Sequence, residues 1–416
     1  MASESQLSLV HGALTTGTGN HDFTAASFGT PVASIFISTM ATAQDTTTDH
    51  AMLCVGFTDG TNDRCTSGAS QTGIPTSYTT YRQKVNFYST STTGSTTLES
   101  LGDASLITDG LRVNMTNATA YASRVLAMNF GDDVTEATVV EIDLGTGTSP
   151  INSGSLGYEP KACIALATYT RNYNSASVTW RTSYGVATPD DEFCAQHSSI
   201  WNSGVGSTAG AIRNDCVMFH QTSTSPIYKV TTTFNADDID FTPDSSSGNT
   251  HMMVLVLGGD AQFKAELNDS GSGTGLKSYA TAGYDPDAVF LIGTQYAAVN
   301  TWYTDNHAES IAIGAISVTS DGCCMAHSDD GPTTMDTHSR CDTRALIGLQ
   351  NAATVSQDAA GALISGGYSL NYSTNTISNS QHIALMIGAP PSADPVVGTP
   401  QGAMKLWNGS EWVRIP

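Results

Sequence analysis

The sequence repeats itself three times, and this repetition limits the folds that the chain can adopt. The copies are marked by Pro31, Pro160 and Pro286, each preceded by a glycine and followed by an apolar run. The second and third copies read Gly-Tyr-Glu-Pro and Gly-Tyr-Asp-Pro at this point. Repeats of solenoids and propellers are only about 20–50 residues long. A longer unit predicts that each copy has its own core and behaves as a domain.

Two further segments recur in each copy. Strand-like stretches precede the prolines at residues 6–14, 137–144 and 261–267, and apolar runs closed by glycine follow much later at residues 124–131, 252–258 and 383–388. We interpret them as the first strand and the final buried strand of each copy. The predicted domains are therefore residues 1–132, 133–259 and 260–388.

The composition between these segments favours an all-β fold. Charged residues make up 13% of the chain, and no long stretch carries apolar residues at helical spacing. Strand-like runs alternate with clusters of Gly, Asn, Asp and Ser. We predict three tandem, diverged β-sandwich domains with a jelly-roll-like topology and seven or eight strands each. Triplication either serves size alone or lets one chain imitate a trimer on a threefold axis.

The C-terminal segment differs from the repeats. Residues 389–403 are rich in proline and predict an extended linker, and residues 404–416 predict a β-hairpin. Asn408-Gly409 is the typical signal of a two-residue turn. Pairing across this turn would place Trp407 and Trp412 on one face, meeting diagonally. We expect the hairpin to dock on the domains, another subunit or a ligand.

The hairpin also carries a resemblance to a known class of proteins. Lys405–Val413 reads Lys-Leu-Trp-Asn-Gly-Ser-Glu-Trp-Val and resembles the Lys-Val-Trp-Asn-Gly-Ser-Ala-Trp-Val elements of minor tail, tail-fibre and related virion proteins of tailed bacteriophages. The resemblance implies a non-enzymatic virion structural protein, such as a tail-tip, fibre or capsid-surface decoration subunit. It implies oligomeric assembly with other virion proteins, through a hairpin interface that includes Trp407, Asn408, Gly409 and Trp412.

Charge and hydropathy exclude several other roles. The chain has 38 acidic and 16 basic residues, a net charge of −22, so binding of nucleic acid through its phosphates is disfavoured. No apolar stretch is long enough to predict a membrane span. The first six residues lack a basic region and an apolar signal core. We therefore expect synthesis in the host cytoplasm and an extracellular virion location after release.

The eight cysteines partly follow the repeats. Cys65, Cys194 and Cys323 recur at the same spacing. Two groups combine a Cys-x-x-His pair with a later cysteine, and they comprise Cys194, His197 and Cys216, and Cys324, His327 and Cys341. Three interpretations stay open for these groups: an intradomain disulfide, a zinc site, or buried reduced thiols. A disulfide in the second group would join Cys323 or Cys324 to Cys341.

No signature of catalysis is present in the sequence. It contains no Gly-x-Ser-x-Gly elbow, no phosphate-binding loop and no His-Glu-x-x-His motif. Acidic pairs can bind calcium or serve glycoside hydrolysis, but adjacent aspartates on a strand point to opposite faces. The pairs are Asp132-Asp133, Asp190-Asp191, Asp237-Asp238 and Asp329-Asp330. We predict that the chain is not an enzyme and needs no cofactor, with zinc or calcium as the alternatives.

Aromatic residues supply the candidate ligand site. Sugars stack on exposed aromatic rings beside polar loops, so a host surface glycan is the candidate ligand. The candidate platforms are Tyr78, Tyr81, Trp180, Tyr184, Trp201, Trp302 and Tyr303, of which Trp201, Trp302 and Tyr303 are preferred. The interpretation favoured for each residue is nevertheless packing in a core or at its rim. The alternative functions are accordingly a carbohydrate-binding adhesin and, with less support, a polysaccharide depolymerase.

Overall fold

The structure is a computed structural model, and it describes residues 6–70, 77–90, 97–117, 123–168, 176–177, 180–202, 205–221, 226–245, 250–304, 309–329, 336–350, 354–390, 405–407 and 412–414. Across these ranges the chain forms strands and turns without a helix. The predicted all-β class is confirmed. Among these same residues there is also no helix long and apolar enough to cross a membrane.

The strands fall into three sets of eleven, which we call repeats 1, 2 and 3. Repeat 1 contains β1 (Leu7–Leu14), β2 (Gly19–Thr24), β3 (Ala33–Thr39), β4 (Thr48–Asp49), β5 (Ala51–Thr58), β6 (Asp63–Ser70), β7 (Ser77–Arg82), β8 (Asn86–Thr90), β9 (Thr97–Ile107), β10 (Gly110–Asn117) and β11 (Ser123–Phe130). Repeat 2 contains β12 (Glu136–Asp143), β13 (Ile151–Asn152), β14 (Ala162–Thr168), β15 (Ala176–Ser177), β16 (Trp180–Ala187), β17 (Glu192–Asn202), β18 (Val205–Arg213), β19 (Met218–Gln221), β20 (Pro226–Phe234), β21 (Ile239–Ser245) and β22 (His251–Gly258). Repeat 3 contains β23 (Gln262–Asp269), β24 (Gly275–Tyr279), β25 (Pro286–Thr294), β26 (Tyr303–Thr304), β27 (Glu309–Ser317), β28 (Asp321–Asp329), β29 (Asp336–Asp342), β30 (Leu346–Gln350), β31 (Thr354–Ile364), β32 (Gly367–Asn375) and β33 (Gln381–Gly388).

Each repeat is a sandwich of a large and a small antiparallel sheet. In repeat 1 the large sheet has the order β1-β11-β3-β5-β6-β7 and the small sheet the order β2-β10-β9-β8, and repeats 2 and 3 have the corresponding orders. The pairing of β1 with β11 and of β2 with β10 is jelly-roll-like. After β3 the chain instead meanders through β5, β6 and β7 before it crosses to the small sheet. This meander is why each repeat has more strands than the seven or eight that the sequence predicts.

A seventh strand joins each large sheet from a neighbouring repeat. The short strand β15 of repeat 2 pairs with β7 of repeat 1, and β26 of repeat 3 pairs with β18 of repeat 2. The exchange is completed by β4 of repeat 1, which pairs with β29 of repeat 3. The three donated strands lie in the same connection of each repeat. The exchange is therefore cyclic and closed, as in a homotrimer.

The strands in the middle of each large sheet are buried on both faces. Along β3, Ile35 and Ile37 face a central core that contains residues from all three repeats, whereas Phe36 faces the sandwich core of repeat 1. The sandwich cores of repeats 2 and 3 are separate clusters. A strand covered on both sides needs an uninterrupted apolar run, as the recurring segments of the sequence have. Each repeat thus has its own sandwich core, and all three also share a central one.

A glycine recurs at the equivalent position of each large sheet, where another segment of the chain passes closely over the sheet. Added Cβ atoms at Gly56, Gly185 and Gly314 would lie 1.8, 1.9 and 2.3 Å from the carbonyl oxygens of Val85, Val217 and Ala345. Contacts this short are not tolerated between a Cβ and a backbone oxygen. These glycines therefore allow the segment that enters the small sheet to lie directly on the large one.

The C-terminal hairpin has a different turn from the one predicted. Strands β34 (Lys405–Trp407) and β35 (Trp412–Arg414) pair in antiparallel fashion. A two-residue turn at Asn408-Gly409 would place Trp407 opposite Ser410, but the register places Trp407 directly opposite Trp412. Four residues therefore connect the strands, and the predicted diagonal pairing is wrong. The connecting residues, including Asn408 and Gly409, lie outside the described residues.

Candidate functional site at the inter-repeat junctions

The junctions between repeats are the most distinctive sites of this fold. We name them 1–2, 2–3 and 3–1 after the repeats they join. In each, the edge strand of one large sheet, β7, β18 or β29, receives the short strand of the next repeat. A donated strand satisfies backbone groups that an open sheet edge would leave exposed to other chains. The exchange therefore both joins the repeats and protects their edges.

Junction 2–3 is held by an asparagine with a left-handed backbone. Asn300 has a φ of 60°, and its N–H donates to the carbonyl oxygen of Ile212 at 2.8 Å. Its Oδ1 accepts from the N–H of Asn214 at 3.3 Å, and its Nδ2 donates to Asn214 Oδ1 at 2.6 Å. Asparagine and aspartate adopt this conformation more easily than other non-glycine residues. One side chain thus links the donated segment to the end of the receiving strand.

Junction 3–1 has the same motif with an aspartate. Asp45 has a φ of 57°, and its N–H donates to the carbonyl oxygen of Cys341 at 3.0 Å. Its Oδ1 accepts from the N–H of Thr343 at 2.8 Å. Burial alone would raise the pKa of Asp45, but hydrogen bonds, first that from Thr343, outweigh burial and lower it. The corresponding residues of junction 1–2 lie in the range 169–175, which the structure does not describe.

The shared motif predicts matched effects of two substitutions. Asp45→Gly and Asn300→Gly keep the backbone conformation accessible but remove the side-chain hydrogen bonds. We expect each to lower the free energy of unfolding by about 1 kcal/mol, measured by urea denaturation. Asn379→Gly is the control, because Asn379 is exposed and also has a positive φ of 62° but lies outside the junctions. A loss in the control as large as in the junction variants would contradict this role.

Junction 1–2 is closed by a tryptophan. Trp180 of repeat 2 is fully buried, and a Cβ added at Gly68 of repeat 1 would lie 1.8 Å from its Nε1. The ring also contacts His197 edge-on, with 4.7 Å between ring centroids. Gly68 occupies the position in repeat 1 that His197 occupies in repeat 2. The small residue in repeat 1 therefore makes room for the indole of the next repeat.

Polar contacts also join repeats 1 and 2. Arg64 Nε of repeat 1 lies 3.0 Å from Glu141 Oε2 of repeat 2, and both side chains are largely buried. The N–H of Val139, on the edge strand of repeat 2, donates to Asp59 Oδ2 at 2.8 Å. Repeat 1 thus also covers part of the edge of the neighbouring sheet. The junction combines apolar burial with specific charge-assisted contacts.

The structure places the candidate aromatic platforms mainly in packing positions. Tyr81, Trp180 and Tyr184 are fully buried, so they are packing residues and not exposed platforms. A tryptophan or tyrosine buried by a neighbouring repeat has the same local sequence as an exposed one. Sequence analysis therefore could not separate the two cases. Tyr78 lies in β7, and the structure does not describe its side chain.

The three preferred aromatic residues differ from one another. Trp302 is half-buried and packs edge-on against Phe219, with 6.5 Å between ring centroids. Tyr303 belongs to the donated strand β26, stacks on Tyr296 at 5.0 Å, and its hydroxyl accepts from the N–H of Ala298. Trp302 and Tyr303 thus lie together at junction 2–3. Trp201 lies in β17 opposite Gly206, and its side chain lies outside what the structure describes.

All eight cysteines are buried, and the structure links none of them by a disulfide bond. The sulfur atoms of Cys194 and Cys216 lie 3.5 Å apart, and those of Cys324 and Cys341 lie 2.6 Å apart. Cys323 faces the sandwich core of repeat 3, on the other face of its strand from Cys324. Of the predicted disulfide partners of Cys341, only Cys324 is therefore on the correct side.

The predicted zinc groups are not assembled. Residues three apart on a strand face opposite sides, so Cys194 lies in a cluster with Cys216 while His197 contacts Trp180. His327 likewise lies on the other face from Cys324, within 3.3 Å of Ser310 Oγ. Among the residues that the structure describes, no three His, Cys, Asp or Glu side chains form a group that would hold a metal ion.

The acidic pairs serve local hydrogen bonding where they are described. Gln6 Nε2 donates to Asp132 at 3.3 Å and to Asp133 at 2.9 Å. Asp237 accepts from Ser155 Oγ and from the N–H of Gly157, and these hydrogen bonds lower its pKa. Asp190 and Asp191 are exposed, and Asp330 lies outside the described residues. Each described pair is explained by a turn or by solvation.

A small polar cavity lies at one end of repeat 3, between its two sheets. Its polar lining includes Gln357, Ser380 and His382. Gln357 Nε2 donates to Ser380 Oγ and to Asn375 Oδ1. The residues that line it include no carboxylate. The cavity therefore lacks the acid pair that glycoside hydrolysis requires.

Comparison of the chain with known proteins identifies no relative. No protein-family model, curated protein or solved structure matches this chain.

Proposed function

We propose that this protein is a non-enzymatic structural subunit of a tailed-bacteriophage particle, in which one chain replaces a homotrimer. The closed exchange of edge strands carries this proposal. Three repeats of equal topology each give one strand and receive one, and they share a central core. A cyclic trimer has the same connectivity between separate subunits. A chain of this kind fits a position on a threefold axis.

The remaining surface supports a role in assembly. Each repeat turns its small sheet away from the central core, so three similar faces are directed outward. The net charge of −22 favours solubility and opposes non-specific association at high local concentration. Because the junction contacts are satisfied within the chain, partners must bind elsewhere.

The assignment to a phage particle rests on the C-terminal hairpin. Its sequence resembles elements of phage tail and fibre proteins, and its strands pair over three residues each. Such a short isolated hairpin is marginal in water. We propose that Trp407 and Trp412 anchor it on another virion protein, with the segment 389–403 as the linker.

Two measurements test this function. Light scattering should give the 43.4 kDa mass of a single chain in solution, since the chain already contains its threefold partners. A stable homotrimer would contradict the replacement of a trimer. Immunogold labelling of phage particles with an antibody against the full chain should then mark the tail or the head. Unlabelled particles would contradict the virion role.

The hairpin is tested separately. Trp407→Ala together with Trp412→Ala should reduce incorporation into particles at least tenfold without changing the melting temperature by more than about 2 °C. Val318→Ala is the control on repeat 3, because Val318 is 47% exposed and lies between β27 and β28, outside the small sheet. Equal incorporation of the hairpin variant and the control would contradict the anchor. Binding of the free chain to host glycans, lost in Trp302→Ala, would instead support the adhesin.

A further inference from the structure

Junction 3–1 contains two cysteines directly opposite each other. Cys324 of β28 and Cys341 of β29 are cross-strand partners in the register. Residues in this relation have Cα atoms about 4.5–5.5 Å apart, whether or not they exchange hydrogen bonds. This range lies within the separation of about 4.4–6.8 Å that a disulfide spans. The two thiols can therefore be joined without moving the strands apart.

The other repeats show that this pair is not part of the common scaffold. The positions of Cys324 and Cys341 are occupied by Ala195 and Ile212 in repeat 2, which face each other in the same register. Repeat 1 has Thr66 and Tyr81 there. The fold is thus compatible with residues that form no covalent link. The dithiol distinguishes one junction from the two others.

A histidine of repeat 1 lies against this pair. His11 Nε2 is 3.3 Å from the carbonyl oxygen of Asp321, and a Cβ added at Gly322 would lie 2.4 Å from the same nitrogen. Burial would lower the pKa of His11, but the hydrogen bond and charge of Cys341 raise it. Burial would likewise raise the pKa of Cys341, but hydrogen bonds from Cys324 and His11 lower it to about 7. The thiol whose pKa is lowered therefore lies next to a second thiol.

We propose that Cys324 and Cys341 are a redox-active pair that forms a disulfide when the chain leaves the reducing cytosol. The reaction requires a small-molecule disulfide as oxidant. The thiolate of Cys341 attacks one sulfur of the oxidant and releases one thiolate, which leaves a mixed disulfide on Cys341. Cys324 then loses its proton to the released thiolate and attacks the Cys341 sulfur, which expels the second thiolate. Two protein thiols are oxidised, and one small disulfide is reduced to two thiols.

The new bond would lie under the donated strand. Both cysteines are fully buried, and the carbonyl oxygen of Cys341 accepts hydrogen bonds from the N–H of Asp45 and from Gln44 Nε2. An oxidant reaches the sulfurs only when these contacts open. Once formed, the bond ties β28 to β29, the strand that receives β4. Oxidation is therefore controlled by opening of the junction, and it afterwards fixes the receiving edge.

The test uses the full chain and glutathione disulfide as the oxidant. After incubation the protein is denatured, its free thiols are alkylated, and the peptides are analysed by mass spectrometry. We expect six alkylated cysteines instead of eight, and a peptide that links Cys324 to Cys341. Cys324→Ala and Cys341→Ile take their residues from repeat 2. Cys341→Ile removes the attacking thiol and should leave all seven remaining cysteines alkylated. Cys324→Ala removes the resolving thiol, so it should leave six alkylated cysteines and carry glutathione on Cys341. Cys323→Ala should still form the bond.

Other outcomes overturn the proposal. Eight alkylated cysteines after prolonged incubation, or a bond that uses Cys323 or joins Cys194 to Cys216 instead, would exclude it. Asp45→Gly should accelerate bond formation severalfold by opening the junction. His11→Asn should slow it and remove the inflection near pH 7 from the rate profile, while the final extent stays the same. An unchanged pH–rate profile in this variant would exclude His11 as the positioning residue.

Discussion

Lowering the pH from 7 to 5 is expected to reduce the free energy of unfolding by about 5 kcal/mol. Burial lowers the pKa of His197, His220 and His382 to about 3, with the charges of His327 and Arg181 adding to the effect at His197 and His220 respectively. In the unfolded chain these imidazoles titrate near their ordinary pKa of about 6.5. Between these values the unfolded state binds more protons, so stability falls as the pH falls.

The magnitude follows from the pH interval. At pH 5, each of the three histidines contributes a loss of about 2 kcal/mol, because the unfolded chain binds protons over about 1.5 pH units. Asp342 acts in the opposite direction, since burial raises its pKa to about 6 and the folded state takes up a proton in this interval. Its contribution offsets the loss by on the order of 1 kcal/mol.

Urea denaturation at pH 7 and at pH 5 measures this difference. Between pH 7 and pH 5, His382→Gln should lose about 2 kcal/mol less free energy of unfolding than the natural chain, whatever its effect on stability at pH 7. His21→Gln is the control, because His21 is half-exposed on the edge strand β2. A free energy of unfolding that is the same at both pH values would show that these histidines are not buried in neutral form.

Trp180→Ala is expected to lower the free energy of unfolding by about 3–5 kcal/mol, the range for large aromatic residues in a core. Trp180 is fully buried at junction 1–2, and its ring lies over Gly68. Because glycine has no side chain, Gly68 cannot fill the cavity that the substitution leaves. Denaturation by guanidinium chloride measures the loss. Trp302→Ala serves as the comparison, and its effect should be less than half as large because Trp302 is only half-buried.

A double-mutant cycle tests the contact itself. Gly68→Ala should destabilise the natural chain strongly, because the new Cβ would overlap the indole of Trp180. In the Trp180→Ala background the same substitution should be nearly neutral, since the space is then empty. The coupling energy should reach at least about 2 kcal/mol. Additive effects of the two substitutions would contradict the insertion of Trp180 between repeats 1 and 2.

The sequence predicted the elements that the central core requires. The three recurring segments of repeat 1 form β1, β3 and β11, which are neighbours in the large sheet. The apolar runs that form β3 and β11 are conspicuous because both faces of these strands are buried, which leaves few positions for an alternating polar residue. The predicted fold class follows from this pattern. The meander of β5, β6 and β7 was not predicted, because several sheet orders satisfy the same pattern of strands.

The junctions were not predicted, because their signals are short. The donated strands have two described residues each and no recognisable periodicity. Asp45 and Asn300 hold equivalent positions, but nothing in the neighbouring sequence shows that their side chains reach another repeat. The zinc hypothesis fails because of the strand that carries the motif. Residues 192–202 form the single strand β17, on which a Cys-x-x-His motif places its two ligands on opposite faces.

The presence of three repeats in one chain also changes what a single substitution can do. In a homotrimer, a replacement at the interface occurs at every interface at once and must be tolerated three times. Here Asp45 and Asn300 occupy equivalent places, and Cys341 stands where repeat 2 has Ile212. Each junction can therefore acquire its own chemistry while the arrangement of the three repeats stays nearly threefold. A protein with three similar repeats and one chemically distinct junction can fit a threefold position and still have a single preferred orientation there.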